Sequence, residues 1–139
     1  MDRANHGVKD ANHVTTKALP NGASTVYSSG FDLGLYGSRG ARMEEVELQI
    51  SAPALATGDL GDTETMKYDV QCDADVNFGS PKTLAKEVIV QTGAGGAGAA
   101  AATARFKIPT DCEQYIRVAA TNSAAGNASD KSMTVELLY

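Results

Sequence analysis

Apolar residues occupy every second position in two stretches of this chain, and this period constrains the fold more than any other feature. Because successive side chains of a β-strand point to opposite faces, the alternation predicts strands with one buried and one wet face. In residues 46–50 and 66–72 the alternating apolar residues are Val46, Leu48, Ile50, Met66, Tyr68, Val70 and Cys72. The second stretch, "ETMKYDVQCDAD", is the clearest strand in the sequence.

Five further segments have strand-like composition or alternation. They are "STVYSSGFDLG", "TLAKEVIVQT", "TARFKIP", "QYIRVAAT" and "KSMTVELLY", and residues of Gly, Pro, Asn and Asp separate them. About seven short strands with such turns are typical of a β-sandwich or barrel, whereas a parallel α/β fold needs helices between the strands. Convincing helical periodicity is nearly absent. The sequence therefore predicts an all-β fold.

Two connections between these strands carry specific expectations. "SAPALATGDLGDT" contains Pro53, Gly58 and Gly61 and is predicted to be a loop with apolar anchors at Leu55 and Leu60. "DADVNFGSPKT", from residue 73, is rich in turn residues. Its side-chain oxygens raise the alternative of a calcium loop, but the spacing lacks the Glu at position 12 of an EF-hand. An Asx-rich turn is favoured, and no metal site is predicted.

A glycine-rich segment follows the run "VIVQT" and contains a G-x-G-x-x-G pattern at Gly93, Gly95 and Gly98, with Asp111 18 positions after the first glycine. This spacing is typical of a dinucleotide-binding turn. The only candidate helix, "AGAAAATA", is about two turns long and has no amphipathic stripe. We therefore predict no cofactor and a loop whose glycines adopt unusual dihedral angles and whose alanines allow another surface to approach. Ordering so long a loop costs entropy, which suggests that contact with a neighbour orders it.

Composition and charge exclude several classes of partner. The net charge is −5 and the basic residues are scattered, which disfavours nucleic acid, since phosphate binding needs clustered Lys and Arg. No segment approaches the ~20 apolar residues of a membrane span. The start, "MDRANHGVKDANHVTTK", is polar without periodicity, so we predict residues 1–23 to be an N-terminal arm and residues 24–139 to be the β-sandwich domain. With 22 alanines among its apolar residues, the core is thin and self-association is expected to stabilise it.

The sequence contains no recognisable constellation of catalytic residues. His6 and His13 both lie in the polar leader, where solvation is the simplest role, and there is no G-x-S-x-G motif. Cys72 and Cys112 have no metal-ligand spacing. Two small buried thiols are favoured for them, with a disulfide left open. Acidic pairs such as Glu44 and Glu45 are commonly solvated, and we predict that the protein is not an enzyme.

Four segments in order along the chain resemble the small capsid cement, or decoration, proteins of tailed bacteriophages. They are "SSGFDLG", "VELQISAPAL", "QTGAGGAGAAAATARFKIP" and "EQYIRVAATNSAAGNAS", and the resemblance covers most of residues 25–139. It implies a compact, antiparallel and jelly-roll-like β-sandwich, here of about seven to eight strands. It also implies a structural virion protein on the outer capsid surface, assembled in the host cytoplasm, that bridges major capsid protein subunits without a cofactor. A dimer and a trimer are both compatible with capsid symmetry.

The rival function is a virion-surface module that recognises a receptor or carbohydrate. The absence of Trp and the 6% aromatic content disfavour it, because sugar platforms usually expose aromatic rings. Contact with the capsid is predicted for the leader, the loop at 93–104 and the loop at 124–129. For Phe31 core packing is the alternative, and for the two arginines a solvated loop. The predicted interface residues are Phe31, Tyr36, Arg39, Arg42, Gly93, Gly95, Gly96 and Gly98.

Overall fold

The computed structural model describes residues 9–33, 46–109, 112–123 and 125–138, and within these ranges the chain forms strands, turns and loops without a helix. The first five strands are Lys9–Ala18 (β1), Thr25–Tyr27 (β2), Phe31–Asp32 (β3), Glu47–Ala52 (β4) and Thr65–Asp73 (β5). The remaining four are Lys82–Thr92 (β6), Ala102–Lys107 (β7), Tyr115–Asn122 (β8) and Ser132–Leu138 (β9).

The strands form two antiparallel sheets with a shared core. The first sheet has the order β1-β9-β4-β7, and the second has the order β2-β8-β5-β6, with β3 also paired to β8. Because β2 and β3 pair with successive parts of β8, they are two pieces of one interrupted strand. Counted so, the described residues form eight strands, which divide into the two four-stranded sheets of a jelly roll. The predicted antiparallel, jelly-roll-like sandwich is therefore confirmed.

The two-residue period produces the core as expected. In β4, Leu48 and Ile50 are fully buried, while the residues between them are half-buried on the outer face. In β5, Met66, Tyr68 and Val70 are likewise fully buried. Facing side chains of the two sheets interdigitate between the layers, and burial of each large apolar side chain contributes about 1.5–3 kcal/mol. The predicted anchors Leu55 and Leu60 close the core at one end.

The first strand lies within the segment predicted as a polar arm. β1 pairs with β9 along the edge of the first sheet, with Thr15 opposite Val135 and Lys17 opposite Met133. An edge strand is half-exposed, as Val14 is at 39%, so it requires no apolar alternation, and this explains why the sequence pattern missed it. Residues 9–18 thus contribute a strand to the sandwich, and residues 1–8 lie outside the described part of the chain.

The edge strand β6 is irregular where it passes Asp69 of β5. Its register shifts there, and Glu87 has a φ of 54°. The Asp69 carboxylate accepts the Glu87 backbone N–H at 2.7 Å, and Lys67 pairs with the Glu87 carboxylate at 2.9 Å. Such a bulge disrupts the row of backbone groups that an exposed edge would offer to another strand.

Candidate functional site

Four loops meet at one end of the sandwich, and four of the eight predicted interface residues lie there. Each loop connects a strand of one sheet to a strand of the other, and we call them together the four-loop end. They comprise residues 19–24, 53–64, 93–101 and 123–131, of which Ala124 is outside the described residues.

Backbone hydrogen bonds join the second loop to the glycine-rich third loop. Leu55 and Ala99 exchange two such bonds, each 2.9 Å long. The Gly93 carbonyl accepts the Thr63 N–H at 2.8 Å, and the Gly93 N–H donates to the Glu64 carbonyl at 3.0 Å. The glycine-rich loop is therefore held by its own chain, which differs from the expectation that a neighbouring molecule would order it.

The first and fourth loops are joined in the same way. The Gly22 N–H donates to the Gly126 carbonyl at 2.9 Å, and the Ala128 N–H donates to the Pro20 carbonyl at 3.0 Å. Asn127 donates to the Gly58 carbonyl at 3.3 Å, which links the fourth loop to the second. All four loops thus form one hydrogen-bonded unit.

The predicted interface glycines divide into two packed and two open positions. A Cβ atom on Gly93 would collide with the Gly61 carbonyl oxygen, and one on Gly98 would collide with the Leu55 carbonyl oxygen. Gly95 and Gly96 have φ values of 61° and 66°, and a Cβ on either would meet no atom within 4 Å. Close packing against a carbonyl oxygen explains why Gly93 and Gly98 are glycines. The left-handed backbone conformation explains why Gly95 and Gly96 are.

The exposed tip of this loop carries almost no side chain. Ala94, Gly95, Gly96 and Ala97 are all exposed, and we call them the Ala94–Ala97 turn. Hydrogen bonds from Ala94 to the Gly98 carbonyl and from Ala97 to the Ala94 carbonyl, both 3.1 Å, close the turn. The Asp62 carboxylate accepts the Gly96 N–H at 2.8 Å. The result is a fixed surface of backbone and methyl groups, suited to packing against another flat surface.

Buried hydrogen bonds connect the core to the second and third loops. The Tyr68 hydroxyl donates to the Gln91 side-chain carbonyl at 2.8 Å. The Gln91 amide nitrogen donates to the Pro53 and Ala100 carbonyls at 2.8 and 2.9 Å, one in each loop. Burial raises the pKa of the Tyr68 phenol, so the hydroxyl remains a donor at neutral pH. The network ties the second sheet, through Tyr68 of β5 and Gln91 of β6, to the four-loop end.

A partly buried ion pair links the second loop to the fourth. Asp59, which is 6% exposed, accepts the Ala56 N–H at 2.9 Å and lies 3.3 Å from the Lys131 ammonium. Hydrogen bonds from Lys131 to Asp130 and then to Asp59 raise the pKa of that lysine. Alternation patterns carry no information on such loop-to-loop pairs, so sequence reasoning missed them.

The remaining predicted residues lie away from this end or outside the described ranges. Phe31 is only 6% exposed, so the structure shows the core packing that the sequence left as its alternative. Tyr36, Arg39 and Arg42 lie outside the described residues. Both cysteines, at 72 and 112, are buried thiols without a disulfide, as favoured.

The acidic loop after β5 forms the predicted Asx-rich turn. Asp73 accepts the backbone N–H of Asp75 at 3.0 Å and of Ser80 at 2.8 Å, one on each carboxylate oxygen. Asp75 accepts the Asn77 N–H at 2.9 Å. Within the described residues, no three His, Cys, Asp or Glu side chains are grouped as metal ligands.

Asp73→Asn is expected to reduce the acid sensitivity of the fold. The N–H donors of Asp75 and Ser80 lower the pKa of Asp73 below its ordinary value of 3.8. A carboxylate with a depressed folded-state pKa contributes stability above its unfolded pKa and loses it as the pH falls through the folded pKa. The difference in urea midpoint between the parent protein and the variant should therefore shrink from pH 6 to pH 2.5.

Ser80→Ala is the matched control for this experiment, because it keeps the backbone N–H that Asp73 accepts. Its pH dependence should follow that of the parent protein. An Asp73→Asn variant whose midpoint falls with pH as steeply as that of the parent would contradict the expectation.

Comparisons with known proteins give only distant structural likenesses. No family model matches the chain, and no curated protein matches it. A crystal structure of PirA is similar, with a TM-score of 0.49 and 12% identity, over 94% of this chain and 97% of that chain. The structure of infectious bursal disease virus Gt strain is similar with a TM-score of 0.37 and 12% identity, over 94% of this chain and 29% of that chain. This chain thus spans under a third of the viral one.

At 12% identity and TM-scores below 0.5, the two likenesses carry no argument about the function of this chain. Neither protein is a phage cement protein, so the resemblance carried by the four sequence segments stays a prediction. No helix within the described residues is long and apolar enough to cross a membrane.

Proposed function

We propose that this protein is a structural virion protein that binds the outer surface of a phage capsid and bridges major capsid protein subunits. It acts without catalysis or a cofactor, and it self-associates as a dimer or trimer. The proposal rests on the sequence resemblance together with one structural observation, the fixed and side-chain-poor Ala94–Ala97 turn at the four-loop end.

The geometry of this turn supports a docking role for two physical reasons. Its backbone is already held by Asp62, Gly98 and the loop below, so binding orders few additional groups and loses little conformational entropy. Its exposed atoms are methyl and backbone groups, so a flat partner surface can approach closely. Weak contacts of this kind gain strength when they repeat across a shell, because binding at linked sites multiplies.

The small number of large apolar residues in the core also favours a protein that is stabilised by binding to a partner. A partner that binds only the folded state raises apparent stability by mass action, by about 2.7 kcal/mol when its concentration is 100 times the dissociation constant. Attachment to a shell and self-association both provide such stabilisation.

Ala97→Trp is expected to weaken attachment to the shell at least about tenfold, since a bulky ring on the turn holds two flat surfaces apart. The binding partner in the assay is the expanded shell of the virus's own major capsid protein, prepared without this protein. Sedimentation of the shells with increasing protein should show saturable binding at a fixed ratio to the coat protein. Bound parent protein should also raise the melting temperature of the shells.

Lys107→Trp is the matched control, because Lys107 is exposed at the end of β7 away from the turn and outside the predicted contact segments, and a strand accommodates Trp. It should bind like the parent. Absence of saturable binding by the parent protein would overturn the function. Equal binding of both Trp variants would show that the Ala94–Ala97 turn is not the contact. A specific hit on a glycan array, without shell binding, would support the receptor-binding alternative.

A further inference from the structure

An arginine is stacked between two aromatic rings on the outer face of the second sheet. The Arg117 guanidinium carbon lies 3.9 Å from the ring centroid of Tyr27 and 4.2 Å from that of Phe78. These residues come from β8, β2 and the loop between β5 and β6, and we call them the Arg117 stack. That loop follows the end of β5, whereas the four-loop end precedes its start, so the two sites lie at opposite ends of this strand.

Several contacts fix the orientation of the guanidinium. Its Nε–H donates to the Gln71 side-chain carbonyl at 2.9 Å. Phe78 has a φ of 52°, an unfavourable conformation for a bulky residue, and its ring packs so closely on Gly30 that a Cβ there would lie 2.8 Å away. A strained backbone that turns a ring onto a charged side chain is the kind of feature that marks binding sites.

The far edge of this guanidinium is open. Within the described ranges, its two Nη groups donate no hydrogen bond to the protein, and no buried side-chain atom lacks a partner, so these donors face solvent. The other described arginine, Arg105, donates to Glu47 and Gln49. Asp73, whose charge acts on Arg117, accepts backbone N–H groups with both oxygens. Arg117 is thus a positioned cation with four N–H donors available.

We propose that the Arg117 stack binds a carboxylate that a partner protein presents beside an apolar side chain. A planar guanidinium matches a carboxylate with two parallel hydrogen bonds, and stacking has already restricted its motion. Apolar surface accompanies the cation, because the Tyr27 ring is 42% exposed and Val76, in the same loop as Phe78, is 61% exposed. Tyrosine and arginine together are also the residue types that dominate the energy of protein interfaces.

The surrounding charge selects a carboxylate over a polyanion. The stack contains one cation, and the protein carries a net charge of −5, so a phosphate or sulfate with two charges gains no second partner and meets repulsion. A single aspartate or glutamate side chain matches one guanidinium. The inference does not depend on the capsid function, since it concerns a different face and follows from the local chemistry.

Titration of the folded protein with small model ligands tests this site. The ligand is N-acetyl-leucine, which carries a carboxylate and an isobutyl group, and its control is N-acetyl-leucinamide at the same ionic strength. The Arg117 Nε–H and the Tyr27 ring signals, followed by NMR, should shift saturably with the acid and not with the amide. Arg117→Lys should weaken binding about fivefold, because an ammonium keeps the charge but cannot stack on the rings or offer two parallel N–H donors to the carboxylate.

Two further variants test whether the ligand binds at the Arg117 stack. Tyr27→Leu removes one exposed ring and leaves Arg117 in place, so it should weaken binding without unfolding the protein. Arg105→Lys changes an arginine that already has a carboxylate partner, and binding should be unchanged. Equal shifts with the acid and the amide, tighter binding of inorganic phosphate than of the acid, or an equal effect of Arg105→Lys would each overturn the proposal.

Discussion

Gly98→Ala is expected to lower the free energy of unfolding by about 2–5 kcal/mol. The added Cβ would collide with the Leu55 carbonyl oxygen, which is the acceptor of the Ala99 N–H. Gly98 also has a φ of 71°, where an L-residue is strained by about 1–2 kcal/mol. Overpacking adds about 1–3 kcal/mol. Because native domains are stable by only about 5–15 kcal/mol, such a loss is readily measured by urea unfolding.

Gly95→Ala separates the two contributions to this loss. Gly95 has a similar φ of 61°, but a Cβ there would meet no atom within 4 Å, so only the backbone strain remains. Its loss should be about 1–2 kcal/mol. Amide exchange of Ala99 should accelerate in the Gly98 variant and change little in the Gly95 variant. Equal destabilisation of the two variants would contradict close packing of Gly98 on the second loop.

The sandwich could be predicted because most of its strands carry a local signal. In β5 the alternation of Met66, Tyr68 and Val70 with polar residues is a direct consequence of one buried face, and a single segment is enough to read it. β1 carries no such signal. It lies at the edge of the sheet, where exposed positions accept polar and apolar side chains alike. Pairing with β9, more than one hundred residues away, places it in the fold.

The sequence predicted that the glycine-rich segment is a loop, but it could not predict the role of each glycine. Gly95 and Gly98 both have positive φ, yet only Gly98 faces a carbonyl oxygen of a loop more than forty residues earlier. Spacing such as G-x-G-x-x-G describes a pattern and not its surroundings. The same motif therefore fits a phosphate-binding turn and, as here, a closed connection between two sheets.

The Arg117 stack is a second feature that the sequence pattern alone could not predict. Its members Tyr27, Phe78 and Arg117 come from three elements, and neither ring lies near the arginine in sequence. The sequence identifies "QYIRVAAT" as a strand-like segment, which is correct, but nothing in it indicates that two aromatic rings meet Arg117. The jelly-roll topology brings β2 beside β8, and the turn organised by Asp73 returns Phe78 over them.

Gln91→Ala is expected to produce the other large loss, about 3–5 kcal/mol in the free energy of unfolding. Gln91 is 3% exposed and makes hydrogen bonds with the Tyr68 hydroxyl and with the carbonyls of Pro53 and Ala100. Its removal leaves three polar groups without their partner, and each buried unsatisfied group costs about 1–3 kcal/mol unless water enters. The truncated side chain also leaves a cavity. Urea unfolding of the parent protein and the variant measures the loss.

Tyr68→Phe and the double variant distinguish a coupled network from two separate contacts. Tyr68→Phe keeps the ring and removes only the hydroxyl, so it should lose about 1–2 kcal/mol. Once Gln91 is alanine, that hydroxyl has already lost its acceptor, and removing it should cost little further. The double variant should therefore be more stable than the sum of the single losses predicts. Strict additivity would mean that Tyr68 and Gln91 stabilise the fold independently, and that their hydrogen bond does not couple the second sheet to the four-loop end.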